Sequence, residues 1–460
     1  MNISTVYSCC LYVLLIFAFF IFLNTSSYSQ IAPGSCEIVQ LTDTSENSSR
    51  PRVCGNGGGV LFQSNADILN NGHADQQDLF FADISDPFSP VFYQITNTAQ
   101  TKFLYSISDD CGAISLTSAS DFLGTNMSNN QQIFRIDISN PASPVFTQVT
   151  NTTSGFHRSI ISGDGTKIAF STQADITGMN PDGSVEYYVF DSENLVLPIS
   201  QITNDPANNS SSSQDPVINQ DGRKVAFVSS ENFVPPNVGA TGVRDIYLSM
   251  LSYNPPNLVA SSLQQVSNFP FQEFNAQDLD ISPQGNSILY TSQSNIVGLN
   301  PDRNLELFLY DIPSNEFFQV TTSNMPTPTV PTGFLNSDGT MAIFRTSNPD
   351  FNPFGQNSEQ IILSDISDPN NPTHASLSTF GQGELLGGIS VTNDLSLVTF
   401  ISESDVAGNN EDGSREIFLL LAGTCQIISV PTLSEWGLIF IALILGISGC
   451  YAVFRNKVAS

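Results

Sequence analysis

Short runs of apolar residues recur along the chain and alternate with segments rich in Gly, Asn, Asp, Ser and Pro. One such run ends in Ser or Thr just after a large central residue, as in KIAFST and KVAFVS. The central positions, 54 to 63 residues apart, are Phe62, Leu116, Phe170, Phe227, Tyr290, Phe344 and Phe400. Apolar runs of this length between turn residues are typical of buried β-strands. The pattern therefore predicts seven copies of one β unit.

Each copy contains three further strand-like segments. A short apolar stretch and a tight turn such as Gly163-Asp164-Gly165 precede the central run, and Asp-Gly pairs supply the positive φ that such a turn requires. A second run ends in Asp in five copies, as at Asp191, and a phrase such as QIT at Gln201 follows it. Because no window outside the two ends has a helical period, we predict an all-β fold, a seven-bladed β-propeller of four-stranded antiparallel blades.

The ends of the repeat region predict how the ring closes. The segment EIVQLT, from Glu37 to Thr42, has the form of the last phrase of a copy, yet it precedes the first copy. The seventh copy has no clean phrase of this kind. A blade cannot bury both of its faces alone, so the ring must close for a core to form. We therefore expect Glu37 to Thr42 to be the outer strand of the blade that contains Phe400.

Four cysteines have positions that suit disulfides in an exported protein. Closure of the ring would bring Cys36 near Cys425, and a bond there would close a loop of nearly the whole domain, which the chain-entropy account values at roughly 4 to 5 kcal/mol. Cys54 and Cys111 lie near the first turns of blades one and two and form a second candidate pair. Free thiols are the alternative for both pairs.

The N-terminal end predicts export. Residues 9–23, CCLYVLLIFAFFIFL, form an apolar run of 15 residues, which suits a secretory signal and is short for a bilayer span of about 20 residues. Small residues at Ser27 and Ser29 fit cleavage after Ser29. We predict a signal peptide at 1–29, and an uncleaved signal anchor is the alternative.

The C-terminal end has three parts, VPTLSEWG at 430–437, an apolar run at 438–454, and a tail with Arg455 and Lys457. The apolar run is at the lower limit for a spanning helix, and the basic residues favour the cytoplasmic side. This end resembles the bacterial C-terminal sorting domain named for its Ile-Pro-Thr-Leu start. The matching residues are Pro431, Thr432, Leu433, Glu435, Trp436 and Gly437.

That resemblance implies recognition by an exosortase-type membrane transpeptidase in a Gram-negative envelope. The protein would pass through an inner-membrane intermediate, lose its tail and move to the cell surface or beyond it. A permanent membrane anchor is the alternative. The predicted organisation is a signal peptide at 1–29, a propeller at 36–424, a linker with the sorting motif at 425–437, a transmembrane helix at 438–454 and a basic cytoplasmic tail at 455–460.

The central runs carry a second resemblance. DGTKIAFS from Asp164 to Ser171 and DGRKVAF from Asp221 to Phe227 resemble the repeats of TolB-type propellers, exported relatives of WD40 blades. The resemblance spans roughly Cys36 to Leu421 and implies a propeller fold. TolB is associated with six blades, whereas seven central runs occur in this chain.

Charge and composition narrow the function. The formal net charge is −29, so binding to nucleic acid is excluded by repulsion from the phosphate backbone. The chain contains three His and lacks the G-x-S-x-G, P-loop, H-E-x-x-H and C-x-x-C motifs. His157, Arg158 and Arg52 lie near the starts of innermost strands and could face the central channel, where propellers place ligands. A buried or simply exposed His157 is the alternative.

Loops between the second and third strands of blades three, five and seven repeat a pattern of carboxylate and amide residues. Oxygen donors at every second position are the ligand type that Ca²⁺ prefers, although the pattern lacks the spacing of an EF-hand. The candidate ligands are Asp175, Asn180, Asp182, Glu186, Asn300, Asp302, Glu306, Asn410, Asp412 and Glu416. Ordinary turn chemistry of Asp and Asn is the alternative. No cofactor other than Ca²⁺ is indicated.

Two functions are consistent with these observations. The first is a non-catalytic surface propeller that binds a protein or a glycan. The second is a secreted hydrolase or lyase that uses acidic residues at the propeller channel. The scarcity of His and Arg favours the first.

Overall fold

Almost every described element of the chain is a β-strand. The structure, a computed structural model, describes residues 29–31, 36–425 and 427–429, apart from 73–76, 99, 101, 154–156, 195, 205–214, 232, 234–243, 255–256, 268–275, 324–332, 352–357 and 382. Two units are distinguished. One contains the antiparallel pair Ser29–Ile31 and Ile427–Ser429, and the other, Pro33–Cys425, contains the remaining described strands.

The strands are numbered in chain order. They are β1 Ser29–Ile31, β2 Glu37–Gln40, β3 Ser48–Val53, β4 Gly59–Ser64, β5 Asp78–Asp83, β6 Val91–Gln94, β7 Lys102–Ile107, β8 Ala113–Ser118, β9 Gln132–Asp137, β10 Val145–Gln148, β11 Arg158–Ile161, β12 Lys167–Thr172, β13 Glu186–Asp191, β14 Ile199–Gln201, β15 Val217–Ile218, β16 Lys224–Ser229, β17 Asp245–Asn254, β18 Asn257–Gln265, β19 Gln277–Ile281, β20 Ser287–Ser292, β21 Glu306–Asp311, β22 Glu316–Gln319, β23 Gly333–Leu335, β24 Met341–Thr346, β25 Gln360–Asp365, β26 Thr373–Ser376, β27 Gly387–Val391, β28 Leu397–Ser402, β29 Glu416–Leu421 and β30 Ile427–Ser429. Single 3-10 turns occur at Pro349–Phe351 and Ala422–Thr424.

Strands β2 to β29 form seven four-stranded antiparallel sheets, which confirms the predicted number and composition of the blades. In blades one to six the strands are neighbours in chain order, from β3–β6 in the first to β23–β26 in the sixth. The seven central residues that predicted the repeat all lie in second strands and are fully buried. The fourth blade differs because β17 and β18 extend into a long hairpin with a bulge between Met250 and Leu251, which explains its longer repeat.

The core lies between neighbouring blades. Second and third strands are buried on both faces, as in β12 and β13, whereas the outer strands are half-exposed. Each described core cluster joins two successive blades; in one of them Leu61 and Phe81 of blade one pack with Leu116 and Phe134 of blade two. Continuous apolar runs, rather than alternating ones, are therefore required in the middle of every blade.

A hydroxyl group at the end of each outer strand fixes that strand to its neighbour. It accepts the backbone N–H of the second residue of the third strand, at 2.8 to 2.9 Å. We call these residues the latch hydroxyls, and they are Thr96, Thr150, Thr203, Ser267, Thr321, Ser378 and Thr42. The latch hydroxyls explain why Gln-x-Thr recurs after the outer strands in the sequence. Ser378 is also a latch hydroxyl, although the sequence before it does not have the Gln-x-Thr form.

The N-terminal strand completes the seventh blade, as predicted. Strand β2 pairs with β29, with Glu37 opposite Leu421, and Thr42 serves as the latch hydroxyl of that blade. Two disulfides are present in this unit, one between Cys36 and Cys425 beside the closing strand. The other joins Cys54 to Cys111, in the first turns of blades one and two.

Seven backbone hydrogen bonds link the first turns of the blades into a closed ring. Each runs from an N–H group in one turn to a carbonyl oxygen in the next turn, at 2.8 to 3.0 Å. The donor and acceptor pairs are Asn56 to Asp109, Asp109 to Gly163, Asp164 to Gln220, Gln220 to Pro283, Gln284 to Ser337, Ser337 to Asn393, and Asn393 to Gly55. Every blade is therefore joined to both neighbours at this end of the channel.

Two predicted segments lie outside the described residues, the signal peptide at 1–29 apart from Ser29, and the transmembrane helix at 438–454. The sorting motif at 430–437 lies outside them too. Within the part of the chain that the structure describes, we find no helix with the length and apolar character needed to cross a bilayer.

The latch hydroxyl of blade five provides a test of this arrangement. Thr321 donates to Glu306 Oε2 at 2.5 Å and accepts the Leu307 N–H group at 2.8 Å, and all three residues are buried. Thr321→Val removes both hydrogen bonds, and each buried group left without a partner costs about 1–3 kcal/mol. We expect the free energy of unfolding to fall by about 2–4 kcal/mol in chemical denaturation.

The matched control is Thr321→Ser, which keeps the hydroxyl. Because Ser267 and Ser378 occupy the same position in blades four and six, this variant should remain within about 1 kcal/mol of the parent protein. An equal loss in both variants would show that packing of the methyl group, rather than the hydroxyl, holds the outer strand.

Candidate functional site

The propeller has two different ends. At the turn face, first and second strands are joined by the ring of tight turns. The opposite end is the loop face, where the innermost strands begin and the loops between second and third strands lie. These features share one end because the first residue of an innermost strand pairs with the last residue of the second strand, as Ser48 does with Ser64. The channel runs between these two faces, inside the innermost strands.

A cavity of about 140 Å³ occupies the channel near the turn face. Residues of blades two to seven line it, and two of them, Asp109 and Asp280, are acidic. Burial raises the pKa of both carboxyl groups, that of Asp280 to about 7. The channel therefore contains two acids with perturbed pKa values, a common property of functional sites.

Asp280 has a clear structural partner. Its Oδ2 accepts the Leu335 N–H group of blade six at 2.8 Å. Ser106 and Ser390 do the same at the equivalent position of their blades, where they accept the N–H groups of Ile161 and Val53. The Asp280 carboxylate thus joins blades five and six, just as a serine hydroxyl joins blades two and three and another joins blades seven and one.

Asp109 lies within the ring of turns. Its Oδ2 is buried and has no hydrogen-bond partner among the described residues, although a hydrogen bond with the Asn393 side chain opposes the rise in its pKa. A Cβ atom on Gly163 would lie 2.2 Å from this oxygen, so the close approach of the carboxylate requires glycine there.

At the loop face, charged residues converge on the channel opening. We call them the mouth cluster, and they are Arg50, Arg52, Arg158, Asp215, Asp278 and Arg345. Arg158 Nη1 lies 2.5 Å from Asp215 Oδ1, which links blade three to blade four. Asp278 of blade five interacts electrostatically with Arg345 of blade six and with Asp215. The sequence singled out Arg52 and Arg158 but missed the other four residues.

Arg52 lies deepest in the mouth cluster. Burial in the channel lowers its pKa, and the nearby Tyr105 and Asp215 oppose this change. Its Nη1 donates to the Pro51 carbonyl oxygen at 3.0 Å, and it forms no ion pair with a described carboxylate. Arg52 is therefore a desolvated cation that retains donors for a ligand.

Irregular backbone places several of these groups. Strands β3 and β19 contain bulges, and within them Arg50 and Asp278 adopt positive φ values of 53° and 51°. Bulges re-aim side chains and are frequent beside functional sites. In blade seven the equivalent bulge directly follows Gly387, where a Cβ atom would lie 2.6 Å from Arg345 Nη1. The absence of a side chain there leaves room for the guanidinium.

Neither of the two described histidines belongs to the mouth cluster. His157 is fully buried, its Nε2 lies 2.9 Å from Thr152 Oγ1, and burial lowers its pKa to about 4. Burial also lowers the pKa of His374 to about 4, and its Nδ1 lies 3.0 Å from Ser364 Oγ. His374 is half-buried and lies on the outer strand β26, away from the channel.

The predicted calcium loops are compact turns. In each, an Asx side chain accepts the N–H group of an Asn five residues later, and the buried Asn amide donates to a carbonyl oxygen four residues further on, at 2.8 to 3.0 Å. The Asx and Asn pairs are Asp175 with Asn180, Asn295 with Asn300, and Asp405 with Asn410. Blade two has the same turn at Asp121 and Asn126, which sequence reasoning missed.

The remaining candidate ligands also have partners. The Ser184 hydroxyl contacts Asn180, Asp182 and Glu186, each at 3.0 Å. The Ser414 hydroxyl contacts Asn410 and Glu416, and its backbone N–H group donates to Asp412. Glu306 accepts hydrogen bonds from Thr321 and Ser323, whereas Asp302 is exposed. Among the described residues, no group of three or more His, Cys, Asp or Glu is arranged to hold a metal ion. Calcium binding stays a prediction.

Chelation tests it. Most of the loop oxygens already accept hydrogen bonds, with Asn300 Oδ1 and Glu416 Oε2 as exceptions among the described residues. We therefore expect the thermal midpoint of the protein to be the same with calcium and with excess chelator. A site filled 100-fold above its dissociation constant would add about 2.7 kcal/mol of stability, and a clear fall in the midpoint on chelation would therefore establish the calcium site.

Asp280 provides a pH test. Its ordinary pKa of 3.8 rises to about 7 in the folded protein, so the folded state binds the proton more tightly than the unfolded state. The stability due to this proton is complete below pH 4 and is lost as the pH rises through 7, by at most about 1.4 kcal/mol per pH unit. Asp280→Ser keeps an acceptor for Leu335 and removes the titration.

We therefore expect the stability of the parent protein, relative to Asp280→Ser, to fall between pH 4 and pH 7. Urea denaturation at several pH values measures this difference, and other titrating groups cancel in the subtraction. A constant difference across this range would show that the folded carboxyl group has its ordinary pKa.

Comparisons with known proteins agree with this architecture. Residues 428–454 match the IPTL-CTERM motif, which implies processing by a sorting enzyme such as an exosortase. Residues 74–98 and 130–152 match the LVIVD repeat, and each match contains the third and fourth strands of one blade. No curated protein matches the chain.

Solved structures share the fold at low sequence identity. An oligogalacturonate lyase from Vibrio parahaemolyticus matches with a TM-score of 0.55 and 14% identity, over 85% of this chain and 94% of that one. A prolyl endopeptidase matches with 0.54 and 13%, over 85% of this chain and 48% of that one. A TolB from Acinetobacter baumannii matches with 0.39 and 15%, over 74% and 66%. The chain is a seven-bladed β-propeller with matches to the LVIVD repeat and to the IPTL-CTERM motif, and the resemblance found at its C-terminal end is confirmed.

Proposed function

We propose that this protein is an exported, surface-sorted β-propeller that acts as a non-catalytic binding module, with its ligand at the channel opening of the loop face. The observation that carries the proposal is the mouth cluster, in which charged residues of five blades converge on one opening. Concave sites with a few convergent polar groups are the usual places for ligands. The IPTL-CTERM motif supports delivery to the cell surface.

The proposed organisation follows the sequence. It comprises a signal peptide at 1–29, the propeller at 36–424, a linker with the sorting motif at 425–437, a transmembrane helix at 438–454 and a basic tail at 455–460. The membrane helix holds an intermediate in the inner membrane until the sorting enzyme cuts near Pro431, Thr432 and Leu433. The ligand is a protein or a glycan outside the cell.

Several contacts favour binding over catalysis. His157 is fully buried, and burial lowers the pKa of both His157 and His374 to about 4, which makes each imidazole a weak general base at physiological pH. The perturbed acid Asp280 has a structural role that serines fill in other blades. The charged groups that face the opening are mainly guanidinium groups, which bind anions and do not transfer protons at neutral pH.

The second candidate function is a lyase or hydrolase that uses Asp109 and Asp280 in the channel cavity. Their raised pKa values favour it, and the matched oligogalacturonate lyase shows that a chain of this fold can be an enzyme. Lyase cleavage of oligogalacturonate creates an unsaturated uronate that absorbs ultraviolet light.

The full-length protein incubated with oligogalacturonate should form no such product, and reducing-end assays should detect no hydrolysis. Product formation that disappears in Asp109→Asn and Asp280→Ser would establish the enzyme and overturn the non-catalytic proposal. Product that persists in both variants would point to a contaminant, which a mock purification from cells without the protein identifies.

The tail provides a prediction about localisation. We expect mature protein on the cell surface to start near Gln30 and to end close to Pro431, because the apolar run at 438–454 can hold the chain in the membrane only while it is attached. Mass spectrometry of surface-shaved and inner-membrane fractions measures both ends. Recovery of an intact peptide from Trp436 to Ser460 in most molecules would show a permanent anchor.

Two matched variants distinguish recognition of the sorting motif by the sorting enzyme from an effect of the apolar run alone. Replacing Pro431 and Trp436 with Ala should trap the full-length protein in the inner membrane if the sorting enzyme reads the motif. Replacing Ile441 and Ile444 with Leu preserves the apolar run and should leave processing unchanged. Equal processing of all forms would show that the tail acts through hydrophobicity alone.

A further inference from the structure

Two short strands from opposite ends of the chain pair with each other, and we call them the terminal ribbon. Strand β1, Ser29–Ile31, pairs antiparallel with β30, Ile427–Ser429. Strand β1 begins at the last residue of the predicted signal peptide, and β30 ends immediately before the sorting motif at 430–437. The ribbon therefore joins the two segments of the chain where processing is proposed.

Antiparallel pairing gives the terminal ribbon two different ends. At one end Ile31 lies opposite Ile427, and the chain continues from these residues to the two cysteines of the Cys36–Cys425 disulfide. At the other end Ser29 lies opposite Ser429. The predicted signal peptide ends there, and the sorting motif begins with the next residue of the chain. Both proposed cuts therefore belong to the same end of the ribbon.

Contacts at the closing strand hold together the two chain segments that lead to the ribbon. Besides the disulfide between Cys36 and Cys425, the Glu37 N–H group donates to Thr424 Oγ1 at 3.0 Å, and Glu37 lies opposite Leu421. A two-stranded pair of three residues would be marginal in isolation. Short tethers from a joined point raise the effective concentration of one strand at the other, so closure of the ring favours the pairing.

Pairing with β1 keeps β30 extended up to the start of the sorting motif. Extended peptide segments are a common form in which proteins recognise a chain, through main-chain hydrogen bonds. Ordering the backbone of a free segment costs conformational entropy at the moment of binding. A segment that is already ordered avoids part of this cost, so an enzyme that reads the adjacent motif gains from the ribbon.

We infer that β1 is a positioning strand for tail removal, which pairs with β30 and presents the sorting motif to the sorting enzyme. The inference rests on the proposed sorting function and adds a part for the N-terminal end of the mature protein. Ile31 is a positioning residue, because it is far from the motif in the chain and acts on it through the pairing with Ile427.

The test follows tail removal by pulse–chase in the cells that naturally make the protein, with mass spectrometry of the C-terminus. Ile31→Pro fixes φ and removes the backbone N–H group, which disfavours the pairing. We expect it to slow tail removal by about tenfold, the factor that ordering one backbone residue represents. The matched control is Ile31→Val, which keeps a strand-forming residue and should be processed at the parental rate.

A second pair of variants tests the ribbon directly in the full-length precursor. Ile31→Cys with Ile427→Cys places two cysteines opposite each other, at a separation that suits a disulfide. This bond should form, and the locked precursor should lose its tail at least as fast as the parent. Ile31→Cys with Ser429→Cys is two residues out of register and should form far less of the bond.

Two further measurements exclude other causes of a slow rate. The thermal midpoint of Ile31→Pro should equal that of the parent, because Ile31 lies outside the unit that contains the propeller. Mass spectrometry of the N-terminus should show that Ile31→Pro still starts near Gln30, so that removal of the signal peptide is unaffected.

The outcomes separate this inference from the sorting function on which it rests. Equal rates for Ile31→Pro and the parent, a slow rate for Ile31→Val, a lowered thermal midpoint of Ile31→Pro, or slow processing of the locked precursor would each overturn the positioning role and leave sorting in place. Retention of the tail by the parent itself, as in the variant with Ala at Pro431 and Trp436, would overturn the proposed sorting.

Discussion

Closure of the ring by strand β2 is the contact on which the rest of the propeller depends. Each blade buries its two faces only against its neighbours, so an incomplete seventh blade would expose core residues of blades one and seven. The pairing of Glu37 with Leu421 and the latch hydroxyl of Thr42 supply the missing outer strand. The disulfide between Cys36 and Cys425 joins the ends of this unit beside that strand.

Closure also creates the channel and makes its two faces different. At the turn face, the ring of backbone hydrogen bonds fixes the spacing of the blades and uses glycine where Asp109 approaches Gly163. At the loop face no such ring links the described parts of the innermost strands, and bulges occur at Arg50 and Asp278. The two faces therefore differ in regularity, and the proposed ligand site lies at the irregular one.

The structure uses its few ionisable groups in two ways. Acids at the starts of third strands, such as Glu306, are buried and hydrogen-bonded to latch hydroxyls, and burial raises the pKa of Glu306. Asp280 is likewise a link between blades. Two arginines of the mouth cluster instead form ion pairs, Arg158 with Asp215 and Arg345 with Glu359. A perturbed pKa therefore does not by itself mark a catalytic group in this protein, because structural acids of the blades have one too.

The sequence by itself determined the all-β class, the seven blades and the closing strand, because these depend on local period and on repetition of Phe62, Phe170 and their counterparts. It also determined the sorting motif, which is a contiguous phrase. Only the tertiary structure decided the site. Arg345, for example, lies on a second strand, and its guanidinium group lies close to Gly387 of the next blade, which repetition does not predict. Contacts between residues distant in the chain have no sequence period, so repetition predicts a scaffold and leaves its binding surface to the fold.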